Sequence, residues 1–291
     1  MGIASLRPSW RLNVSTASLI EPGYLFSQHS LNTYLRCPRR FLLKYVDRQP
    51  WPMPEDEQPR RYQEHLARGR VFHHWLLREH LELDMEPIVG ACEDPQLRAW
   101  WQAAKSFARQ ELPKGLREAE LPLAIPLGDY CLYARYDYLA LDPGGEAVIV
   151  DWKTLEHIPS AHVLRERVQT RVYLYTLVAA GHVLTGGIPV EPSRARMLYW
   201  FANYPERSAA IPYSAQAFQR DARELLRLVE EIAHQPREAF TSTSDVRLCV
   251  RCNYRSLCRK ETLPPSAEGE DWLDEDIDFD LDLAEVAELE Y

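Results

Sequence analysis

The hydrophobic period changes once along this chain of 291 residues, and that change limits what it can fold into. Up to about residue 111 the apolar side chains recur at helical spacing. From residue 121 to 152 they alternate, as strands require. The spacing predicts helices over residues 31–46, 63–83 and 94–111, the first capped by Ser30. Strands follow over 121–126, 130–141 and 147–152, with Asp142-Pro143-Gly144-Gly145 as the turn between the last two. A helix over 161–180, an aromatic-rich strand over 194–204 and an amphipathic helix over 214–234 complete the pattern. Helices before, between and after the strands give an α/β fold class.

Charge divides the chain unevenly. Residues 268–291 hold twelve acids and no Lys or Arg. The rest carries 34 basic against 31 acidic residues, a net charge of +3, although the whole chain stands at −9. A mildly basic body is compatible with a polyanionic partner, and the acidic end reads as a flexible tail. No apolar run reaches the roughly 18 residues of a membrane span. Residues 1–20 hold no secretory apolar core, and no Gly-rich phosphate loop of the ATPase kind is present. The expectation is a cytoplasmic protein with no membrane association.

Four groups of residues carry chemistry. In Val148-Ile-Val-Asp151-Trp-Lys153-Thr, the carboxylate and the amine share a strand face at the end of an apolar run. An acid there can hold a divalent metal, and the lysine can stabilise charge developing on a phosphoryl group. Asp137, in Arg135-Tyr-Asp-Tyr on the preceding strand, lies near Asp151 if the hairpin register allows; the alternative is a pair with Arg135. On the helix over 63–83, His73 shares a face with Gly69, Phe72, Leu76 and His80, so His73 and not His74 points inward. Gln169 and Tyr173 stand four apart on one helix face.

In this order, Gly69-x(3)-His73, Asp137, Asp151-Trp-Lys153 and Gln169-x(3)-Tyr173 resemble the RecB-like branch of the PD-(D/E)xK nuclease superfamily. Ser30-Leu-Asn-Thr-Tyr-Leu-Arg-Cys-Pro-Arg-Arg-Phe41 resembles the N-terminal signature of that branch. The resemblance implies a restriction-endonuclease-like core, a mixed sheet flanked by helices, spanning residues 29–260. Residues 1–28 precede it as an irregular segment, and residues 261–291 follow as the tail. It further implies Mg²⁺- or Mn²⁺-dependent hydrolysis of DNA phosphodiesters. His73, Asp137 and Asp151 would be metal ligands and Lys153 the catalytic lysine, with Gln169 and Tyr173 positioning the DNA. Single-stranded DNA or DNA ends are the implied substrate, in CRISPR adaptation or recombinational repair, with a helicase or integrase as partner protein. The alternative is a nuclease-derived DNA-binding or scaffold subunit that acts only with its partner.

Cys249-x(2)-Cys252-x(5)-Cys258 puts three thiols within ten residues, a metal-ligand pattern in a reducing compartment. The pattern resembles the iron–sulfur members of the same branch, which include AddB-type subunits and the CRISPR-associated "Cas four" exonucleases. In them an N-terminal cysteine, here Cys37, joins three C-terminal ones around a [4Fe–4S] cluster that staples a helical cap. A Cys₄ zinc site is the competing reading. Arg36, Arg39, Arg40 and Lys44 beside Cys37 are candidates for phosphate contact.

Overall fold

The computed structural model describes residues 18–50, 60–142, 144–250 and 252–258. Residues 1–17, the Pro-rich stretch 51–59, Pro143 of the predicted turn and the acidic tail lie outside the described residues. In chain order the elements are β1 (Leu25–Ser27), α1 (Gln28–Arg36), α2 (Pro38–Phe41) with a π-helical turn (Leu42–Val46), α3 (Arg60–His80), α4 (Glu86–Ala91) and α5 (Pro95–Glu111). Then come β2 (Leu116–Leu127), β3 (Tyr130–Leu141), β4 (Ala147–Lys153), α6 (Ala161–Glu166) and α7 (Val168–Ala180). β5 (Ala195–Phe201), β6 (Ala209–Pro212), α8 (Ala215–His234) and α9 (Val246–Val250) follow.

The predicted first helix differs in both its start and its continuity. Ser27, not Ser30, is its N-cap; Ser30 is the third helical residue, and the two form a reciprocal capping box. Cys37 then takes an extended conformation, as the residue before Pro38 tends to, and the helix breaks there. The helix predicted over 161–180 also divides, at the extended Arg167. Three short elements, β1, β6 and α4, escape the periodicity altogether. Asp142 organises the predicted turn: its carbonyl accepts from Gly145 N and its carboxylate from Glu146 N.

The six strands form one mixed sheet in the order β1-β3-β4-β5-β6, with β2 on β3. β2 covers one edge of β3 along its whole length. The other edge is shared: β1 runs parallel to residues 131–133 and β4 antiparallel to residues 138–141. Residues 134–137 have no strand on that side among the described residues. β4 and β5 are parallel, joined through α6 and α7, and β6 closes the far edge.

Helices cover both faces. Ile149, Met197, Tyr199 and Phe201 pack with α1, α7 and α8, whereas Val148, Val150, Trp152 and Trp200 pack with α3 and α5. β4 is therefore buried throughout and reads as a continuous apolar run that ends in charge. The sheet sits close against its connections: a methyl on Gly115 would lie 2.0 Å from the Leu141 carbonyl oxygen and 3.0 Å from Asp142 Cα. Gly115→Ala therefore forces backbone apart at the start of β2. It should cost about 1–3 kcal/mol, visible as a lowered midpoint in thermal unfolding.

Candidate active site

Beyond Tyr138↔Val150 the ladder between β3 and β4 ends, although β4 continues to Lys153. In an unbroken register Trp152 would face Tyr136. Instead its N–H donates to Asp137 Oδ2 at 2.9 Å, and its carbonyl accepts from His73 Nε2 at 2.9 Å. Two side chains thus replace the missing strand partner of one residue.

β3 also changes phase here. Tyr136 and Leu139 both pack on the α7 side of the sheet, while Tyr138 and Ala140 pack on the α3 side. On the facing strand Ala119↔Tyr138 and Leu121↔Tyr136 are paired, but Glu120, on the rung of Asp137, is not. Its φ is 51°, a left-handed backbone that non-glycine residues seldom adopt. The kink brings ligand atoms of His73, Glu120 and Asp137 within 4.8 Å of one another. His73 Nδ1 lies 3.7 Å from Asp137 Oδ2.

The donor chemistry fits a hard divalent cation, two carboxylates and one imidazole. His73 fits in its tautomer as well. Nε2 gives its proton to a backbone carbonyl, which leaves the Nδ1 lone pair toward the acids, the usual arrangement of a metal-binding histidine. Burial pulls its pKa below the ordinary 6.5, with Lys153 adding to the effect against the charges of Glu120 and Asp151. The imidazole is thereby kept neutral and ligating at neutral pH.

Asp151 and Lys153 lie beside this group on the α7 face. Asp151 is 1% exposed, Lys153 7% and Gln169 4%. Lys153 Nζ sits 2.9 Å from Asp151 Oδ2. Gln169 Nε2 donates to Asp151 Oδ1 at 2.8 Å, and its Oε1 accepts from Lys153 Nζ at 3.3 Å. The amide orients acid and amine together. Tyr173, one turn on, is buried with its ring 5.3 Å from that of Tyr136.

The predicted residues His73, Asp137, Asp151, Lys153 and Gln169 therefore meet at the end of β4. Arg135, weighed as a partner of Asp137, instead pairs with Glu120 at 3.2 Å. Glu120 escaped sequence reading because the strand was started at residue 121. The signal available was the alternation Glu118-Ala-Glu120, which continues the strand upstream. Tyr136 and Trp152, considered for base stacking, are core residues.

The cysteines form a second locality. Cys37 joins α1 to α2, Cys249 lies on α9, and Cys252 and Cys258 follow in tight turns. Burial pushes the Cys252 thiol up; Arg40 counters this, while the neighbouring Cys37 and Cys249 add to it. Thiols more than 200 residues apart in sequence are thus neighbours. Arg39 N donates to the Thr241 carbonyl, tying the same two segments.

A family model described as the PD-(D/E)XK nuclease superfamily matches residues 25–259. Among solved structures, one titled SSO0001 is similar with a TM-score of 0.39 and 17% identity, over 82% of this chain and 87% of that one. Another, from Eubacterium rectale and titled provisionally as an exonuclease, gives a TM-score of 0.45 and 11% identity over 94% and 100%. No curated protein matches.

Glu120→Gln keeps the shape of the side chain and removes its charge. Mn²⁺ affinity, measured calorimetrically, should fall by about tenfold or more, whereas Glu118→Gln on the same strand should leave it unchanged.

Proposed function

This chain belongs to the PD-(D/E)XK nuclease superfamily, and on that premise we propose that it is a Mg²⁺- or Mn²⁺-dependent deoxyribonuclease acting on single strands or DNA ends. The observation that carries the reading is the contact of Lys153 with Asp151 and Gln169, beside His73, Glu120 and Asp137. We assign His73, Asp137 and Asp151 as metal ligands and add Glu120. A divalent ion held there would supply Lewis acidity and an activated water.

The residues of the chain do the remaining work. Lys153 is a fixed positive charge in a dry setting, placed where negative charge develops on the phosphoryl oxygens. Asp151 and Gln169 hold its amine in place, so the charge needs no reorganisation during reaction. Asp137 and His73 are fixed by the backbone of Trp152, which preorganises both before any ion arrives. Tyr173, buried against Tyr136, supports α7 and hence Gln169. The full set of acids, imidazole and lysine favours an enzyme over a subunit that only binds.

We further propose the iron–sulfur branch, with Cys37, Cys249, Cys252 and Cys258 around a [4Fe–4S] cluster. The donor set and the vicinity of three of the thiols support it. Participation in CRISPR adaptation or recombinational repair, beside a helicase or integrase, belongs to the same reading.

Lys153→Ala should lower metal-dependent cleavage of single-stranded DNA by about 10²–10³-fold while leaving binding in EDTA intact. Cleavage at the parent rate would reject the assignment. Protein purified without oxygen should carry iron and sulfide. Cys37→Ser and Cys252→Ser should both lose them, and Cys92→Ser and Cys131→Ser should not. Stoichiometric zinc without iron would replace the cluster by a Cys₄ site.

A further inference from the structure

A cavity of about 510 Å³ opens between α6, the start of α7, β6 and the first turns of α8. Arg165, Arg171, Arg220 and Arg223 line it, and the only acid in the lining is Asp221. Asp221 is 1% exposed and already engaged. Its Oδ1 lies 2.8 Å from Arg171 Nε and 3.2 Å from Arg220 Nη2, and its Oδ2 accepts from the Tyr213 hydroxyl at 3.0 Å. Burial, with the charge of Asp221, raises the Tyr213 pKa, so that hydroxyl remains a donor. Glu224 meets Arg171 at 2.5 Å. With both acids counted, the four guanidiniums leave a net charge of +2 around the cavity. Arg165 and Arg223 are exposed and make no ion pair with a described acid.

Two further features favour an anion. Ser214 and Gln216, in the lining, begin α8, a helix of 20 residues whose N-terminus carries partial positive charge. Thr170, also in the lining, directly follows Gln169. Its Oγ1 is 2.6 Å from the Tyr199 hydroxyl, and Lys153 Nζ lies 6.0 Å from the centre of that same Tyr199 ring. Two side-chain contacts thus separate the cavity from the reactive lysine.

We propose that this cavity binds a non-reacting phosphate of the strand being cut, as a second anion site beside the reactive centre. The proposal rests on the nuclease reading above. Arg171 and Arg220, held by Asp221, form its floor, and Arg165 and Arg223 close on the phosphate from the rim.

The test is binding of a labelled single-stranded oligonucleotide, followed by anisotropy in EDTA across a salt series. Arg165→Ala/Arg223→Ala should weaken binding about tenfold at low salt. It should also flatten the log–log salt dependence by about 1.4, at roughly 0.7 per lost phosphate contact. With metal present, the same variant should raise KM and leave kcat near the parent value, the sign of a contact made equally in ground and transition states. Arg98→Ala/Arg109→Ala, which removes two charges from α5, should keep the parent affinity and slope. If the cavity variant matches a parent that binds and cleaves, or if the α5 variant loses as much, the second site is overturned and the nuclease reading stands. A parent that retains no strand at any salt overturns both. Inorganic phosphate, followed by ³¹P line broadening, separates the sources: broadening lost in the cavity variant, with strand affinity unchanged, would make this a free-phosphate site and overturn the strand proposal.

Discussion

The backbone of Trp152 is the point on which the site depends. A backbone N–H and carbonyl buried in a sheet must find partners. Where β3 leaves β4, no strand supplies them, and the carboxylate of Asp137 and the imidazole of His73 do so instead. The bond to a carboxylate is stronger than the neutral one it replaces. The strands can therefore part without leaving orphaned polar groups, and the parting creates the space in which the acids converge. Removing either side chain would deprive Trp152 of a partner as well as the site of a ligand. Structural and chemical roles are thus joined in the same two residues.

The sheet then sorts the remaining groups by face. β4 sends Asp151 and Lys153 toward α7, where Gln169 meets them, and Trp152 toward α3 and α5. His73 reaches the sheet end from the opposite layer. Only the kinked rung of Glu120 and Asp137 can join the two sides, because a regular strand would commit each carboxylate to one face. The left-handed backbone at Glu120 costs about 1–3 kcal/mol, and its position opposite Asp137 is where such strain serves a site rather than a turn.

The legibility of these features follows from whether they are local. Asp151 and Lys153 were readable because alternation on a strand is a property of neighbouring residues, and His73 was preferred over His74 by helical phase alone. Ser30 was misjudged by three residues, since Ser27 and Ser30 are both capping residues and only their reciprocal bonds identify which leads. β1 has three residues, too few for any period to register, yet it occupies the shared edge of β3 just ahead of the kink. Glu120 was beyond reach for a different reason. Its conformation is imposed by the facing strand, and nothing within its own segment encodes a change of phase at Asp137.

The same distinction explains how the two ends of the described fold are held. Cys37 and the thiols of 249–258 are brought together by contacts that do not need a metal. Phe41 stacks between Phe26 and Phe240 with centroids 6.4 and 6.0 Å away, and the Tyr34 hydroxyl donates to Glu231 at 3.2 Å. Arg237 forms an ion pair with Asp47, and the Tyr254 hydroxyl reaches the Gln49 carbonyl. These contacts anchor β1 and α1 to α8 through buried aromatic area, which contributes far more than the exposed ion pair. A cluster of the proposed kind would therefore act chiefly on the last turns, residues 249–258, whose contacts are fewer. The sheet and the parted strands rest on the aromatic stack, so the thiols and the acids can answer to different conditions within one fold.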